Sequence, residues 1–224
     1  MNNIIIFGNG EIASLSKYYF NSISKNIDFF CVDDQYVKET QFESTPIISM
    51  SELSKIDVNK NSVFVALSYA KHNQTREKKF NEIKKLGFKF ESFVHKKSYI
   101  SDNVTIGKNC LILENQTIQK DVKINDNVFI WSSNHIGHGS IIQSHTYISS
   151  HVVISGHCKI GKRCFLGVNS AIKDFTDVQD DVFISMGCNV TKNIDSGSVV
   201  INNTSEIFKK DDKRSVMLKK KFFK

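Results

Sequence analysis

Several things missing from this chain narrow its class before any motif is read. No apolar run approaches the roughly 18 residues of a membrane helix. The N-terminal stretch MNNIIIFGNGE enters a strand directly, without a secretory leader. Both absences lead to the expectation of a cytoplasmic protein. The five cysteines form no CxxC pair, which argues against a zinc ribbon, a redox motif or a disulfide scaffold. A basic face is also missing. The formal net charge is +7, but residues 209–224 alone carry +6, which leaves about +1 on the remaining 208 residues. Nucleic-acid binding calls for a basic patch spread over a domain, so it is excluded as a partner class. The tail over 205–224 is read as a basic segment fraying in solvent. Contact with an acidic membrane surface is the minor alternative, because Val216, Met217, Leu218, Phe222 and Phe223 interleave the lysines.

The helical period of 3.6 is absent from the second half of the chain, and a period of six replaces it. Ile100, Ile106, Ile112, Ile118, Ile124, Ile130, Ile136, Ile142, Ile148, Ile154, Ile160, Leu166, Ile172, Val178, Ile184 and Val190 follow one another at intervals of six. Neither an amphipathic helix nor an ordinary strand of about 5–6 residues sustains this. It predicts a parallel β-helix, with three hexads to a triangular coil and about five coils. The aliphatic residue points into the prism, and the position two earlier points inward near a corner. Cys110, Cys158, Cys164 and Cys188 occupy that second phase and read as buried compact hydrophobes. Gly107, Gly137, Gly161 and Gly167 follow the aliphatic residue, where a corner is expected and glycine turns most cheaply. His145, His151 and His157 share a third phase on successive faces, so they point in three directions and form no metal site within one chain.

The first ninety residues follow another pattern. Asn3 to Phe7 reads as a strand, the stretch through Ile23 as a helix with Ile12, Leu15, Tyr19 and Ile23 on one side, and Asp28 to Val32 as a second strand. Ser62 to Leu67 reads as a buried third strand, about Asn73 to Leu86 as a helix closed by Gly87, and Phe88 to Val94 as a last strand. The fold class expected is an α/β, Rossmann-like domain over 1–93, an all-β parallel β-helix over 94–204, and the tail over 205–224. Gly8-x-Gly10-x-x-Ala13 between a strand and a helix, with Asp33 ending the second strand, fits a nucleotide-phosphate loop. Its glycines let backbone approach a phosphate, the helix N-terminus offers N–H groups, and the acid can take ribose hydroxyls.

A nucleotide-fold head joined directly to a hexapeptide prism resembles the bacterial sugar acetyltransferase family. That family comprises sialic-acid O-acetyltransferases and nucleotide-linked amino-sugar N-acetyltransferases. In the prism the resemblance rests on the stretch from Ser132 to His138, on Ile148 to Gly156, and on Lys159 to Ser170. In the head it rests on Gly8-Asn9-Gly10 and Val32-Asp33-Asp34. The resemblance implies a left-handed prism, a homotrimer with active sites between subunits, and acetyl-CoA as cosubstrate with no metal. It also implies His138 as the catalytic base, with Asn134 and His135 positioning the substrate. Gly8, Asn9, Gly10, Glu11, Asp33, Asp34 and Ser68 are then expected at the nucleotide sugar, and Tyr147, Gly156 and Val168 at acetyl-CoA.

Three departures stand out. The family's phosphate loop usually ends Gly-His, where this chain has Gly10-Glu11. The residue after the catalytic histidine is often acidic or polar, and here it is Gly139. That assigns any orienting role to Asn134 or to another chain. The family's Gly-x-Pro-Ala segment beside CoA is absent; Val200 to Thr204 stands there, and Pro46 is the only proline in the chain. The expected function is acetyl transfer from acetyl-CoA to the amine of a nucleotide-linked amino-deoxy sugar, in surface-glycan biosynthesis. O-acetylation of a sugar is the alternative enzyme reading, and a non-catalytic nucleotide-sugar scaffold is the alternative of another class.

Overall fold

The computed structural model describes residues 3–202, 208–209 and 212–222. Its first part is a six-stranded sheet. Strands β1 (Asn3–Phe7), β2 (Ile27–Val32), β3 (Gln41–Phe42), β4 (Thr45–Ser49), β5 (Asn61–Val65) and β6 (Lys89–Phe90) stand in the order β3-β4-β2-β1-β5-β6. All neighbouring pairs are parallel except β3–β4. Ile4, Ile5, Ile6 and Phe7 are buried on both faces of the sheet, which suits the central strand of a layered α/β unit. Helix α1 (Glu11–Asn21) covers one face, and α2 (Met50–Leu53) and α3 (Gln74–Lys85) follow later in the chain. Helix α1 buries Ala13, Ser16 and Phe20, with Ile12, Leu15 and Tyr19 at the margin, while Ile23 lies beyond its end and is exposed.

Two local expectations change. The β3–β4 hairpin and α2 gave no periodic signal, because strands of two and five residues and a single helical turn are too short to show one. Ser49 and Glu52 nonetheless form a capping box at the start of α2. The single strand expected over Phe88 to Val94 is two: Lys89–Phe90 pairs with β5 in the head, and Phe93–Val94 pairs with Leu111–Ile112 in the prism.

From Phe93 onward, two-residue strands stack into three parallel sheets of seven, six and five strands. The first face runs from Phe93–Val94 to Val199–Val200, the second from Tyr99–Ile100 to Asn189–Val190, and the third from Thr105–Ile106 to Asp177–Val178. The aliphatic series and the cysteines beside it form one core inside the prism. The series extends past both of its expected ends. Val94 precedes it, and Ile194 and Val200 continue it in a last coil two residues shorter, with Val178 bridging Ile194 and Ile184 paired with Val200.

The glycines after the aliphatic residue do not have the role first assigned to them. Gly107, Gly137, Gly161 and Gly167 are not in the left-handed region. Instead a Cβ on Gly137 would lie 2.5 Å from the backbone of Ser155 and Gly156, and one on Gly167 would lie 2.5 Å from Met186 N. Close approach of the next coil is what requires them. The left-handed residue lies three before the aliphatic one. Asn109, Asn115, Asp121, Asn127, Ser133, Gly139, His145, His151, His157, Arg163, Asn169, Phe175, Asp181 and Gly187 all have φ between 56° and 68°. Asn, Asp, His and Gly dominate that phase because they tolerate this conformation best.

The head is fastened to one edge of the prism, between its third and first faces. The side chains of Asn109, Asn127 and His145 stack there in successive coils. Val65 N–H donates to Asn109 Oδ1 (2.7 Å), Asn109 Nδ2 to Asn127 Oδ1 (2.8 Å), and Asn127 Nδ2 to His145 Nδ1 (2.8 Å). Arg76 of α3 is completely buried beside them. Its guanidinium donates to the carbonyls of His145 (2.9 Å), Thr146 (3.3 Å) and Ser68 (3.2 Å) and lies 4.3 Å from the centre of the Phe129 ring. Asn73 Nδ2 reaches the carbonyls of Arg163 and Cys164, both at 3.1 Å. Phe64 of β5 stacks on Phe129 of the prism's first face, so the two parts share one core. Within the tail, expected from the sequence to fray, Lys213–Phe222 forms helix α4; residues 203–207, 210–211 and 223–224, including the expected boundary at 204, lie outside the described residues.

The relay at this edge has a direction, because Val65 N–H can only donate. Each amide in turn must then present oxygen to the preceding donor, and His145 Nδ1 is left as an acceptor. Burial, followed by the nearby charges of Arg76 and Arg163, lowers the His145 pKa to about 4. An unfolded histidine titrates near 6.5. Between those values the unfolded chain binds more protons, so stability is complete above about pH 6.5 and declines as pH falls toward 4. Wild-type protein should lose on the order of 1–3 kcal/mol across that window. His145→Asn, which keeps a side chain suited to the left-handed backbone, should show a flat denaturation midpoint over the same range. An identical decline in both proteins would place the acid sensitivity elsewhere.

Candidate active site

The turn from β1 into α1 builds the first half of the site. Gly8 has φ +122°, and a Cβ there would lie 2.9 Å from Ala66 O, so both conformation and space require glycine. Gly10 caps α1 and has open space where its side chain would stand. A cavity of about 490 Å³ opens at the C-terminal ends of β1, β2 and β5. Ligands of open parallel sheets bind in this place, and the start of α1 supplies the unpaired N–H groups of a helix N-terminus. The cavity brings together Gly8, Asn9, Gly10, Glu11, Asp33 and Ser68.

Asp34 is not among its lining residues. It is exposed and committed to α2, accepting from Ser51 N (3.1 Å) and Ser51 Oγ (2.8 Å), and these bonds hold its carboxyl below the usual range. The nucleotide role expected of it has no geometry here. Sequence reasoning also missed Tyr36, Thr75 and Lys79 on the cavity wall. Lys79 is nearly buried and paired with both Asp33 and Glu82. Burial alone would depress its ammonium, but the hydrogen bonds it donates to the two carboxylates outweigh that and hold it above its ordinary value. A second, polar cavity of about 840 Å³ shares Asp33, Tyr36 and Lys79 and runs on to Arg163 and Asp181 at the fastened edge.

The second half of the site is His138, exposed at the edge between the prism's second and third faces. Three groups seat its ring. Gln119, from the preceding coil, presents Oε1 to His138 N (3.0 Å) and to its Nδ1 (3.1 Å). Gly156, in the following coil, lies beneath the ring, and a Cβ there would stand 2.8 Å from His138 Cε1. The His157 ring meets it edge-on at 4.8 Å and is stacked on Phe175 at 5.0 Å. The space beside Gly139 is taken, since a Cβ there would lie 2.6 Å from His157 Nδ1. Nothing in the sequence marked Gln119, because its contact lies nineteen residues from His138, in the neighbouring coil.

Three expected assignments do not hold their places. Asn134 is buried inside the prism, accepting from Val152 N and donating to the Trp131 carbonyl, so it neither meets substrate nor orients His138. Its phase is the inward corner one, where its amide replaces the usual small residue. Tyr147 is buried beneath the head, stacked on Phe165 and close to Arg76, which closes it to acetyl-CoA. Val168 is exposed but stands on the edge between the first and second faces, away from His138. Gly156 does touch the His138 ring, and His135 is half-buried on the second face between Thr117 and Val153. The inward cysteines are buried, and burial pushes the Cys110 and Cys164 thiols up to about 12, which unsuits them as nucleophiles. Among the described residues no three His, Cys, Asp or Glu side chains converge as a metal set, and no helix is long and apolar enough to cross a membrane.

Comparison with known proteins bears on the prism and on the whole fold. The family model "Bacterial transferase hexapeptide (six repeats)" matches residues 121–156, and "Hexapeptide repeat of succinyl-transferase" matches residues 158–192. The acetyltransferase domain of PglB from Neisseria gonorrhoeae is 17% identical, with a TM-score of 0.78 over 89% of this chain and 96% of that one. PerB from Caulobacter crescentus, solved with CoA and GDP-perosamine, is 18% identical, with a TM-score of 0.79 over 89% of this chain and 93% of that one. WeeI from Acinetobacter baumannii is 18% identical, with a TM-score of 0.60 over 93% of this chain and all of that one. At this identity the likeness speaks for the fold, and the repeat models bear out the expectation of a hexapeptide-repeat prism. The chain thus shares with these acetyltransferases the fold of a Rossmann-like head joined to a left-handed parallel β-helix, and its prism matches hexapeptide-repeat models over most of residues 121–192.

Proposed function

We propose that this protein transfers acetyl from acetyl-CoA to the amine of a nucleotide-linked amino-deoxy sugar, with His138 as the base. The observation that carries this reading is the pairing of a nucleotide-sized cavity in the head with an exposed, seated imidazole on the prism. PerB, which shares the fold, was solved with CoA and a nucleotide-linked sugar. In the reaction the amine attacks the thioester carbonyl, His138 Nε2 takes the amine proton, and the tetrahedral intermediate collapses. The C–S bond breaks, the CoA thiolate leaves, and the proton on the imidazolium can return to its sulfur. Histidine suits this exchange near neutral pH. Backbone N–H groups at the prism edge are the candidate donors to the oxyanion.

The placement of the two halves supports a shared site. The cavity adjoins the edge between the third and first faces, where Arg163 and Asp181 stand, whereas His138 is on the edge between the second and third. One chain therefore presents the nucleotide site and the base at different corners. In a homotrimer the head of one subunit can meet the His138 edge of the next.

Two experiments test this reading. With an amine acceptor, His138→Ala and His138→Asn should each lose about 10²–10⁴-fold in kcat/KM near pH 7 and recover part of it toward pH 9, where bulk water takes the ammonium proton. A uniform loss with no alkaline recovery would indicate a hydroxyl acceptor and O-acetylation, and full neutral activity would remove His138 from catalysis. Second, Asp33→Ala should raise KM for the nucleotide sugar with little change for acetyl-CoA. Co-expressed Asp33→Ala and His138→Ala chains should assemble into mixed oligomers more active than either variant alone. Activity no greater than that of the separate variants would place the whole site within one chain.

A further inference from the structure

A neutral imidazole can act as a base only through the nitrogen that lacks hydrogen, so its tautomer decides which atom reacts. Gln119 decides it here. Its terminal amide faces two groups of His138, the main-chain N–H at 3.0 Å and ring Nδ1 at 3.1 Å. The main-chain N–H can only donate, which identifies the facing amide atom as oxygen rather than nitrogen. An oxygen with only lone pairs to offer is matched by a ring nitrogen that carries hydrogen. His138 Nδ1 is then the donor, and the lone pair lies on Nε2. That nitrogen lies on the ring edge above Gly156, and it has no hydrogen-bond partner among the described residues.

The local backbone explains why the device is built from the preceding coil. Gly139 is left-handed, at φ +67°, and the His157 ring occupies the place a side chain would take. No carboxylate can stand directly after His138 in this arrangement. Asn134 is equally removed, because its amide is spent on the Val152 N–H and the Trp131 carbonyl inside the prism. Gln119 is anchored by its own main chain, whose N–H donates to the Ile136 carbonyl at 3.0 Å.

We propose that Gln119 is the positioning residue of His138, with one amide oxygen that locks ring and main chain together and holds the imidazole in the Nδ1–H tautomer. This rests on His138 being the base, but its first readout does not. Free neutral imidazole in histidine favours the opposite tautomer, with hydrogen on Nε2, so the bias imposed by Gln119 is measurable. Long-range ¹H–¹⁵N spectra of histidine-labelled protein, with the His138 signals identified by their absence in His138→Asn, should show Nδ1–H and an unprotonated Nε2. Gln119→Met, which keeps length but has no oxygen, should shift His138 toward Nε2–H. It should also lower kcat by about 10- to 100-fold, less than outright loss of the base, with KM for both substrates unchanged. Gln119→Glu keeps an acceptor in place and should restore both the tautomer and most of kcat. A wild-type spectrum with hydrogen on Nε2 would overturn the proposal whatever the kinetics. Unchanged tautomer and kcat in Gln119→Met would overturn it as well. Full activity in His138→Ala, beside a wild-type spectrum that shows Nδ1–H, would instead remove the catalytic reading and leave the positioning contact standing.

Discussion

Residues eighteen apart stand one above another in this prism, and the hydrogen bonds between successive coils fix nearly every other feature. Phe129 N–H reaches the Thr146 carbonyl at 3.0 Å, Tyr147 N–H the Cys164 carbonyl at 2.9 Å, and Phe165 N–H the Val182 carbonyl at 2.9 Å, each strand of the first face bonding to the coil that follows it. Where a Cβ would meet the backbone of the next coil, glycine stands instead, at Gly107, Gly137, Gly161 and Gly167. Because two-residue strands must turn at every corner, one residue per hexad is forced left-handed. Inside, the same stacking places aliphatic on aliphatic and leaves room for only compact groups near the corners.

Stacking also turns single side chains into columns, and one column holds the head. Asn109, Asn127 and His145 pass a hydrogen bond from coil to coil, beginning at the main chain of β5. Arg76 completes the joint with a fully buried guanidinium that has carbonyl rather than carboxylate partners. Burial pulls its pKa down to about 9, which still leaves it charged at neutral pH. A buried charge requires such partners, since desolvation would otherwise cost several kcal/mol. Four acceptor or aromatic groups from the prism, the carbonyls of Asn127, His145 and Thr146 and the ring of Phe129, fix where α3 can sit. The cavity at the mouth of β1 is thereby held rigidly against one edge of the prism.

The chemistry follows from which edge carries which group. The head occupies one edge, and His138 is seated on another by neighbours from the coils before and after it. His157 and the broadly exposed Phe175 continue that second edge as an aromatic ladder. An apolar, open surface beside the proposed base is suited to cover by another subunit or by the pantetheine arm of CoA. The proposed transfer relies on the prism for its precision, because two-residue strands bonded on both sides leave the ring little freedom.

The hexad from Ile100 to Val190 determined the prism without help, since no other fold satisfies a period of six over so many repeats. The run Asn3 to Phe7, the Gly8-x-Gly10 turn and Asp33 likewise determined the head and its cavity, because strand, turn and helix signals there are local. His138 was singled out by the family resemblance, and its phase, two beyond an inward isoleucine, agrees with the exposed edge on which it stands. What remained hidden was whatever depends on the neighbouring coil or on the joint between the two parts. Asn134 and Tyr147 were misjudged because a phase tells which way a side chain leaves the backbone, not what covers it. The true reason for Gly137, the burial of Arg76 and the contact of Gln119 with His138 were set by atoms eighteen or more residues away. Such contacts exist only once the coils are stacked and the head is docked, and packing at that range leaves no periodic trace in the sequence.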